Sequence, residues 1–255
     1  MRKTLAFASR NVKELLRDPL SYVFCLGFPL VMLFVMTLID RSIPPEAGMR
    51  LFRIDSLCGG IAVFGQTFLM LFTCLTVSKD RASSFLVRLY ATPMTQTDFT
   101  AGYLLPVLLL AVLQALIVSA ASFAVSLIEG TALSVPGLFC MILTLLPSGL
   151  MFASIGLLAG TLFSEKAAPG LCSVVISLGS FLGGIWFDAE GTGGVLFKIC
   201  RILPFWHCVK AARSACALDF SASAWGMPIL TAVIWAGALT VLAAVCFRMK
   251  MHADG

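Results

Sequence analysis

The chain has 255 residues, 59% of them hydrophobic and 12% charged, with mean hydropathy +0.98 and a formal net charge of +5. Soluble domains carry about a quarter charged residues, so this composition excludes that class and marks an integral membrane protein. The lipid bilayer is its solvent, and no nucleic-acid partner is expected.

Residues 1–18 place Leu5, Ala8, Val12, Leu15 and Leu16 on one side of a helical wheel and Arg2, Lys3, Arg10, Lys13 and Arg17 on the other, with Phe7 out of place. This predicts an interfacial helix on anionic lipid that ends at Asp18-Pro19. The apolar run after it exceeds the roughly 7–15 residues of a signal-peptide core and lacks a cleavage site, so it reads as a retained span.

Uncharged runs between ionisable residues predict six spans: 19–39, 56–78, 99–128, 130–164, 167–187 and 220–247. Each reaches the roughly 20 residues a helix needs to cross the hydrocarbon core. The fold class is therefore an all-α polytopic membrane protein. Pro136 and Pro147 are expected to open the fourth helix or to kink it. Gln66 in the second span and Gln114 in the third read first as packing glue between helices, and second as polar points on a substrate path. Gly156 with Gly160, and Gly179 with Gly183 and Gly184, have the four-residue spacing of close helix contacts.

Between the second and third spans, Ser78 to Gly102 predicts a short amphipathic helix over 81–92. Phe85, Leu86, Leu89 and Tyr90 share one side, and Arg81 and Arg88 fall within about 20° of each other on another. Pro93 stops it, since Thr92 before the ring is pushed out of the helical region. Placing both termini in the cytoplasm puts eleven of the eighteen basic residues inside: Arg2, Lys3, Arg10, Lys13, Arg17, Lys79, Arg81, Arg88, Lys166, Arg248 and Lys250. The cytoplasmic excess gathers in the N-terminal tail and the 78–102 loop, where the charge rule has most force. Asp40 to Asp55, around Pro44-Pro45, is then a short external loop, and Glu165-Lys166 a second cytoplasmic turn. Asp188 to Asp219 is external as well. It is too charged to cross and too apolar for a free loop, which predicts short broken helices in the outer interface.

The chemistry is mostly negative. None of the six runs holds an Asp, Glu, Lys, Arg or His, which argues against an ion-coupled transporter. No lysine follows a glycine, so there is no phosphate loop. The nine cysteines form no C-x-x-C pair, and Cys200, Cys208 and Cys216 rotate by about 80° per step on a helix, so no metal site is expected. No catalytic residue stands out.

Leu16-Arg17-Asp18-Pro19-Leu20, then Asp80-Arg81 with Phe85, Arg88-Leu89 and Thr92-Pro93, then Gly183-Gly184-Ile185-Trp186-Phe187, then Leu203-Pro204-Phe205-Trp206-His207 with Arg213, run in order along nearly the whole chain. In that order and spacing the chain resembles the ABC-2 type permeases, the membrane subunits of ABC exporters, and within them the drug and antibiotic branch. The resemblance implies a single transmembrane domain over 1–255 that dimerises, as a homodimer or related heterodimer, on soluble ABC ATPase subunits. Those subunits would bind the ATP and Mg, so this chain needs no cofactor of its own and is not itself an enzyme. It implies that 1–18 is a connecting helix carrying Arg10, Lys13, Arg17, Asp18 and Pro19. It makes 81–92 a coupling helix, with Asp80, Arg81, Phe85, Leu86, Arg88, Leu89 and Pro93 as coupling residues. It makes 188–219 a pair of external re-entrant helices, with Gly183, Gly184, Pro204, Trp206, His207 and Arg213. The family places an acidic residue and a glycine where this chain has Ala82 and Ser84. The implied location is a bacterial cytoplasmic membrane and the implied activity export of an amphipathic or lipid-like molecule. A second reading is a membrane receptor, sensor or assembly factor that docks a non-ATPase partner through the same loop.

Overall fold

The computed structural model describes residues 2–44, 51–83, 85, 94–131 and 133–254, and among them there are helices and turns but no strand. The expected coupling positions Leu86, Arg88, Leu89 and Pro93 lie outside the described residues.

Helix α1 is Arg2–Arg17. Asp18 then caps the next helix, accepting from the Leu20 amide at 3.1 Å, and Pro19 occupies its first turn, where a missing N–H costs nothing. Pro19 thus starts a helix as well as ending one. Helix α2, Pro19–Ser42, contains a π-helical turn at Val23–Gly27. Helix α3 is Ile54–Ala82 and helix α4 is Gln96–Glu129, which begins with a capping box between Thr95 and Asp98. It ends at Gly130, whose φ of 67° suits a residue without a Cβ. Helix α5, Val135–Leu162, has Ser134 as its cap, Pro136 in its first turn and Pro147 in its interior.

These four long helices and the last one, α10 (Met227–Asp254), are the five described helices long and apolar enough to cross a membrane. The run expected as a fifth span, 167–187, is different. Helix α6, Ala168–Leu182, has only 15 residues, about 22 Å at 1.5 Å per residue. Gly183 and Gly184 then turn the chain, Gly184 at φ 64°, so the remaining apolar residues of that run belong to a turn. After it come three short helices, α7 (Ala189–Thr192), α8 (Gly194–Ile202) and α9 (Pro204–Cys216). Helix α10, Met227–Asp254, follows a π-helical turn at Ala222–Gly226.

Helix α3 is the centre of the bundle, with 83% of its apolar window buried against 17% for the final helix. The small residues of α5 explain how the two come so close. A Cβ at Gly156 would collide with the Met70 carbonyl, and one at Gly160 would stand 2.7 Å from the Cys74 carbonyl. Phe24 and Phe28 of α2 pack on Phe64 and Phe68 of α3 with ring centroids 5.5 to 5.9 Å apart. The final helix meets α5 through Ala232, Ala236 and Ala243, all buried, while Leu230, Val233, Ile234, Val241 and Leu242 stay exposed. With Leu109, Leu113 and Leu116 of α4 and Val31 and Phe34 of α2 they form an apolar belt that suits lipid and not water.

The two ends of this bundle differ. One gathers α1, the C-terminal ends of α3 and α5, the start of α4 and the last turns of α10. The other gathers the start of α3, the turn after α6, and α9.

Candidate functional site

At the first end, α1 lies against α4 by a face that shares Ala8 with the apolar side of the wheel but is turned away from Leu5 and Leu16. Phe7, Ala8 and Asn11 are buried, whereas Leu5 and Leu16 are each 61% exposed. Phe7, off the apolar stripe in the sequence, is in place here: its ring meets Phe99 and Tyr103 edge-on at 5.8 and 5.0 Å. It fits because residue 102 is glycine; a Cβ there would collide with the Phe7 ring. Asn11 donates to the Gly102 carbonyl at 2.9 Å, and the Thr4 hydroxyl donates to Asp98.

Arg10 reaches from this helix to Asp80 near the end of α3. Its two terminal nitrogens donate to the two carboxylate oxygens at 2.6 and 2.8 Å, a forked geometry that fixes orientation as well as charge. It also donates to Glu14 at 2.6 Å and to the Asn11 side-chain oxygen at 2.8 Å. Tyr103 of α4 donates to Asp80 at 2.9 Å. The Asp80 side chain is 4% exposed and that of Arg10 is 30%. Burial by itself lowers the Arg10 pKa, but the Asp80 bond and the charges of Asp80 and Glu14 outweigh it and raise the guanidinium above its ordinary value. The Phe85 ring covers the other side of this guanidinium, its centroid 4.1 Å from the central carbon. Three helices, α1, α3 and α4, are therefore tied by one buried carboxylate.

Arg81 points elsewhere. It donates to the Gly160 and Phe163 carbonyls at 3.1 and 3.4 Å, the C-terminal end of α5, where helix carbonyls are without partners and the dipole favours a cation. Arg81 belongs to the last turn of α3, and Ser83, extended at φ −88° and ψ 154°, ends that helix. The expected continuous helix over 81–92, with Arg81 heading its basic stripe, is interrupted there. Lys13 and Arg17 stay exposed on α1.

Gln66 and Gln114 are buried at 1% and 0% exposure. Gln66 donates to the Leu145 carbonyl at 3.0 Å and accepts from the Ser148 hydroxyl, tying α3 to α5. Gln114 donates to the Ala62 carbonyl at 3.2 Å, tying α4 to α3. Both amides sit between helices in the manner of packing glue.

At the opposite end, Arg213 of α9 donates to the Ser56 carbonyl at 3.0 Å and to the Gly184 carbonyl at 3.2 Å. Burial pulls its pKa down to about 10, with the charges of Asp188 and Glu190 opposing. Helix α9 approaches α3 so closely that a Cβ on Gly59 would stand 2.8 Å from the Arg213 amide nitrogen. Pro204 and Trp206 are buried; His207 makes a 2.8 Å bond to the Arg201 carbonyl, and Lys210 pairs with Glu190 at 2.8 Å. The apolar residues of α8, Val195 and Ile202, are over 70% exposed, at 73% and 71%. A pocket of about 610 Å³ opens between α9 and the start of α3, lined by Asp55, Asp188, Trp206, Lys210, Arg213 and Asp219 among others.

The family model of the ABC-2 type transporters matches residues 2–216. The chain belongs to the ABC-2 type transporter family. The match runs from the first turn of α1 to the last residue of α9 and so covers both ends of the bundle. No curated protein matches the chain. As an ABC-2 membrane domain the chain is the permease component of an ABC transporter, a multi-pass membrane protein that associates with an ABC ATPase.

Sequence reasoning assigned Asp80 and Arg10 to two different elements and missed that they meet, as it missed Tyr103, Asn11 and Phe7. A signal was present for two of them. Tyr103 is a hydroxyl in an uncharged run, and Phe7 is an aromatic ring among the polar positions of an amphipathic helix.

Proposed function

We propose that this ABC-2 permease is an exporter that moves an amphipathic or lipid-like molecule out of the cytoplasm, in the drug and antibiotic branch of the family. Two copies, or one copy and a related chain, sit on two ATPase subunits that bind ATP and Mg. Both termini are cytoplasmic, in the cytoplasmic membrane of a bacterium. The segment that joins α3 to α4 docks on the ATPase, α1 is the connecting helix, and α8 with α9 are the external re-entrant pair.

The observation that carries this reading is the junction around Asp80. The segment leaves α3 two residues after Asp80 and enters α4 next to Asp98 and Tyr103, so both of its ends are fastened to α1. A displacement imposed on it by nucleotide-driven closure moves α1, α3 and α4 together, and the Arg81 bonds bring α5 with them. Coupling further requires that the segment bind one ATPase state better than the other, since equal affinity shifts nothing. Walls of Phe, Leu and Met with few polar groups suit an amphipathic substrate better than a bare ion or sugar.

The test replaces Phe85 and Leu89 with Asp. Copurification with the ATPase and ATP-dependent export should both be lost; unchanged transport removes the proposal. ATPase stimulation of the reconstituted complex by antibiotics, peptides and lipids then identifies the substrate class.

A further inference from the structure

Nine cysteines are dispersed through the chain, and their spacing offers no motif. The fold nevertheless brings two of them together from 158 residues apart: Cys58 in the second turn of α3 and Cys216 at the end of α9 have their sulfurs 3.2 Å from each other. Both are buried, at 0% and 4% exposure. A disulfide needs about 2.0 Å between sulfurs, so the gap left to close is about 1.2 Å. The helices are already held in that register by the Arg213 bond to Ser56 and by the backbone approach that Gly59 permits. Asp55 and Ser56 on one side, and Ser214, Ala217 and Asp219 on the other, line the 610 Å³ pocket, so solvent comes within a few residues of both sulfurs.

We infer that Cys58 and Cys216 form a reversible disulfide that covalently fastens α9 to α3 when a small two-electron oxidant enters this pocket. The two thiols together release two protons and two electrons as the sulfur–sulfur bond forms. With an azo-type oxidant such as diamide both protons and both electrons pass to the nitrogen–nitrogen double bond, which becomes a hydrazine. With a peroxide, one thiol is first oxidised to a sulfenic acid with release of water, and the second thiol displaces a second water. A dithiol reductant reverses the step by thiol–disulfide exchange. Cys208, also on α9 and also buried, stands eight residues before Cys216 and so is turned about 80° from it around the helix.

The purified full chain, in lipid nanodiscs, is treated with diamide, alkylated and digested, and its peptides are mapped with and without dithiothreitol. The expected result is a linked species joining the peptide of Cys58 to that of Cys216, distinct from any link between the neighbouring Cys74 and Cys172 and gone after reduction, and a rise in the unfolding temperature of the oxidised protein. Two free alkylated thiols at these positions after diamide, or links from them to other cysteines, overturn the inference. Cys58→Ser and Cys216→Ser should each abolish the linked species and leave the other thiol alkylated. The mapping of the unmodified chain decides the question even where a variant fails to fold.

Discussion

Asp80→Asn tests the junction most directly. The amide keeps the shape of the carboxylate and one acceptor oxygen, but removes the charge that receives both arms of Arg10 and the Tyr103 hydroxyl. Hydrogen bonds to charged groups contribute about 1.5–3 kcal/mol each, and breaking a fully buried ion pair costs about 3–5 kcal/mol. Arg10 is 30% exposed and keeps Glu14, so its guanidinium can turn toward solvent and the lower part of that range applies. We expect a loss of about 2–3 kcal/mol, which for a chain of this size lowers the unfolding midpoint by about 4–12 °C. Thermal unfolding of the purified protein in detergent measures it, and a cycle with Arg10→Met isolates the pair. The double variant should be less destabilised than the sum of the singles by at least about 1.5 kcal/mol. Additivity to within about 0.5 kcal/mol would refute the reasoning, because it would make the contact no more than a surface ion pair.

Gly102→Leu should push Phe7 out of its seat and detach α1, read as new protease cleavage within residues 2–17, and Phe7→Ala in the same chain should restore part of the protection. Gly156→Val should cost about 1–3 kcal/mol or more through overpacking against the Met70 carbonyl, seen as a lowered unfolding midpoint, while the exposed Gly237 tolerates the same change with little effect. Gln66→Leu should cost about 1 kcal/mol by removing a bond to the Leu145 carbonyl and leave the substrate profile of export unchanged; an altered profile would return Gln66 to the substrate path. His207 is held below its usual pKa, first by burial and then by the charges of Arg201 and Lys210, against the bond to the Arg201 carbonyl. The folded chain then binds its proton less readily than the unfolded one, so the contribution is present above about pH 6.5 and is lost as pH falls through the lower folded value; His207→Gln should flatten that part of a stability profile.

The spans were legible because each apolar run is long and its ends are charged, and the observed ends of α2 and α4 fall within a few residues of the expected ones. The run 167–187 misled because hydropathy counts Ile185, Trp186 and Phe187 as span, while Gly184 at positive φ turns the chain before them. The break at Ser83 carried no comparable signal, since neither Ser83 nor Ser84 forbids a helix. Asp80 could be singled out by resemblance, but its partners lie 70 residues before it and 23 after, and no local pattern encodes such a meeting. The contact of Cys58 with Cys216 escaped for the same reason. Periodicity reports which face of a helix is apolar; it does not report what that face meets.

Helix α3 is pinned at both ends, to Arg213 through the Ser56 carbonyl and to Arg10 through Asp80. Its length is thereby a fixed quantity. One residue inserted between Gly60 and Val77 rotates everything beyond it by about 100°, so keeping the first pin would turn Asp80 away from Arg10. Helix α10 is held by one narrow stripe, with Ala232, Ala236, Ala243 and Phe247 buried, Thr240 bonded to Ser154 at 2.8 Å and the Ala244 carbonyl accepting from Gln96. Over time α3 should keep both its length and its buried residues, while α10, whose outward face is wide, should vary in sequence on that face more freely than in length.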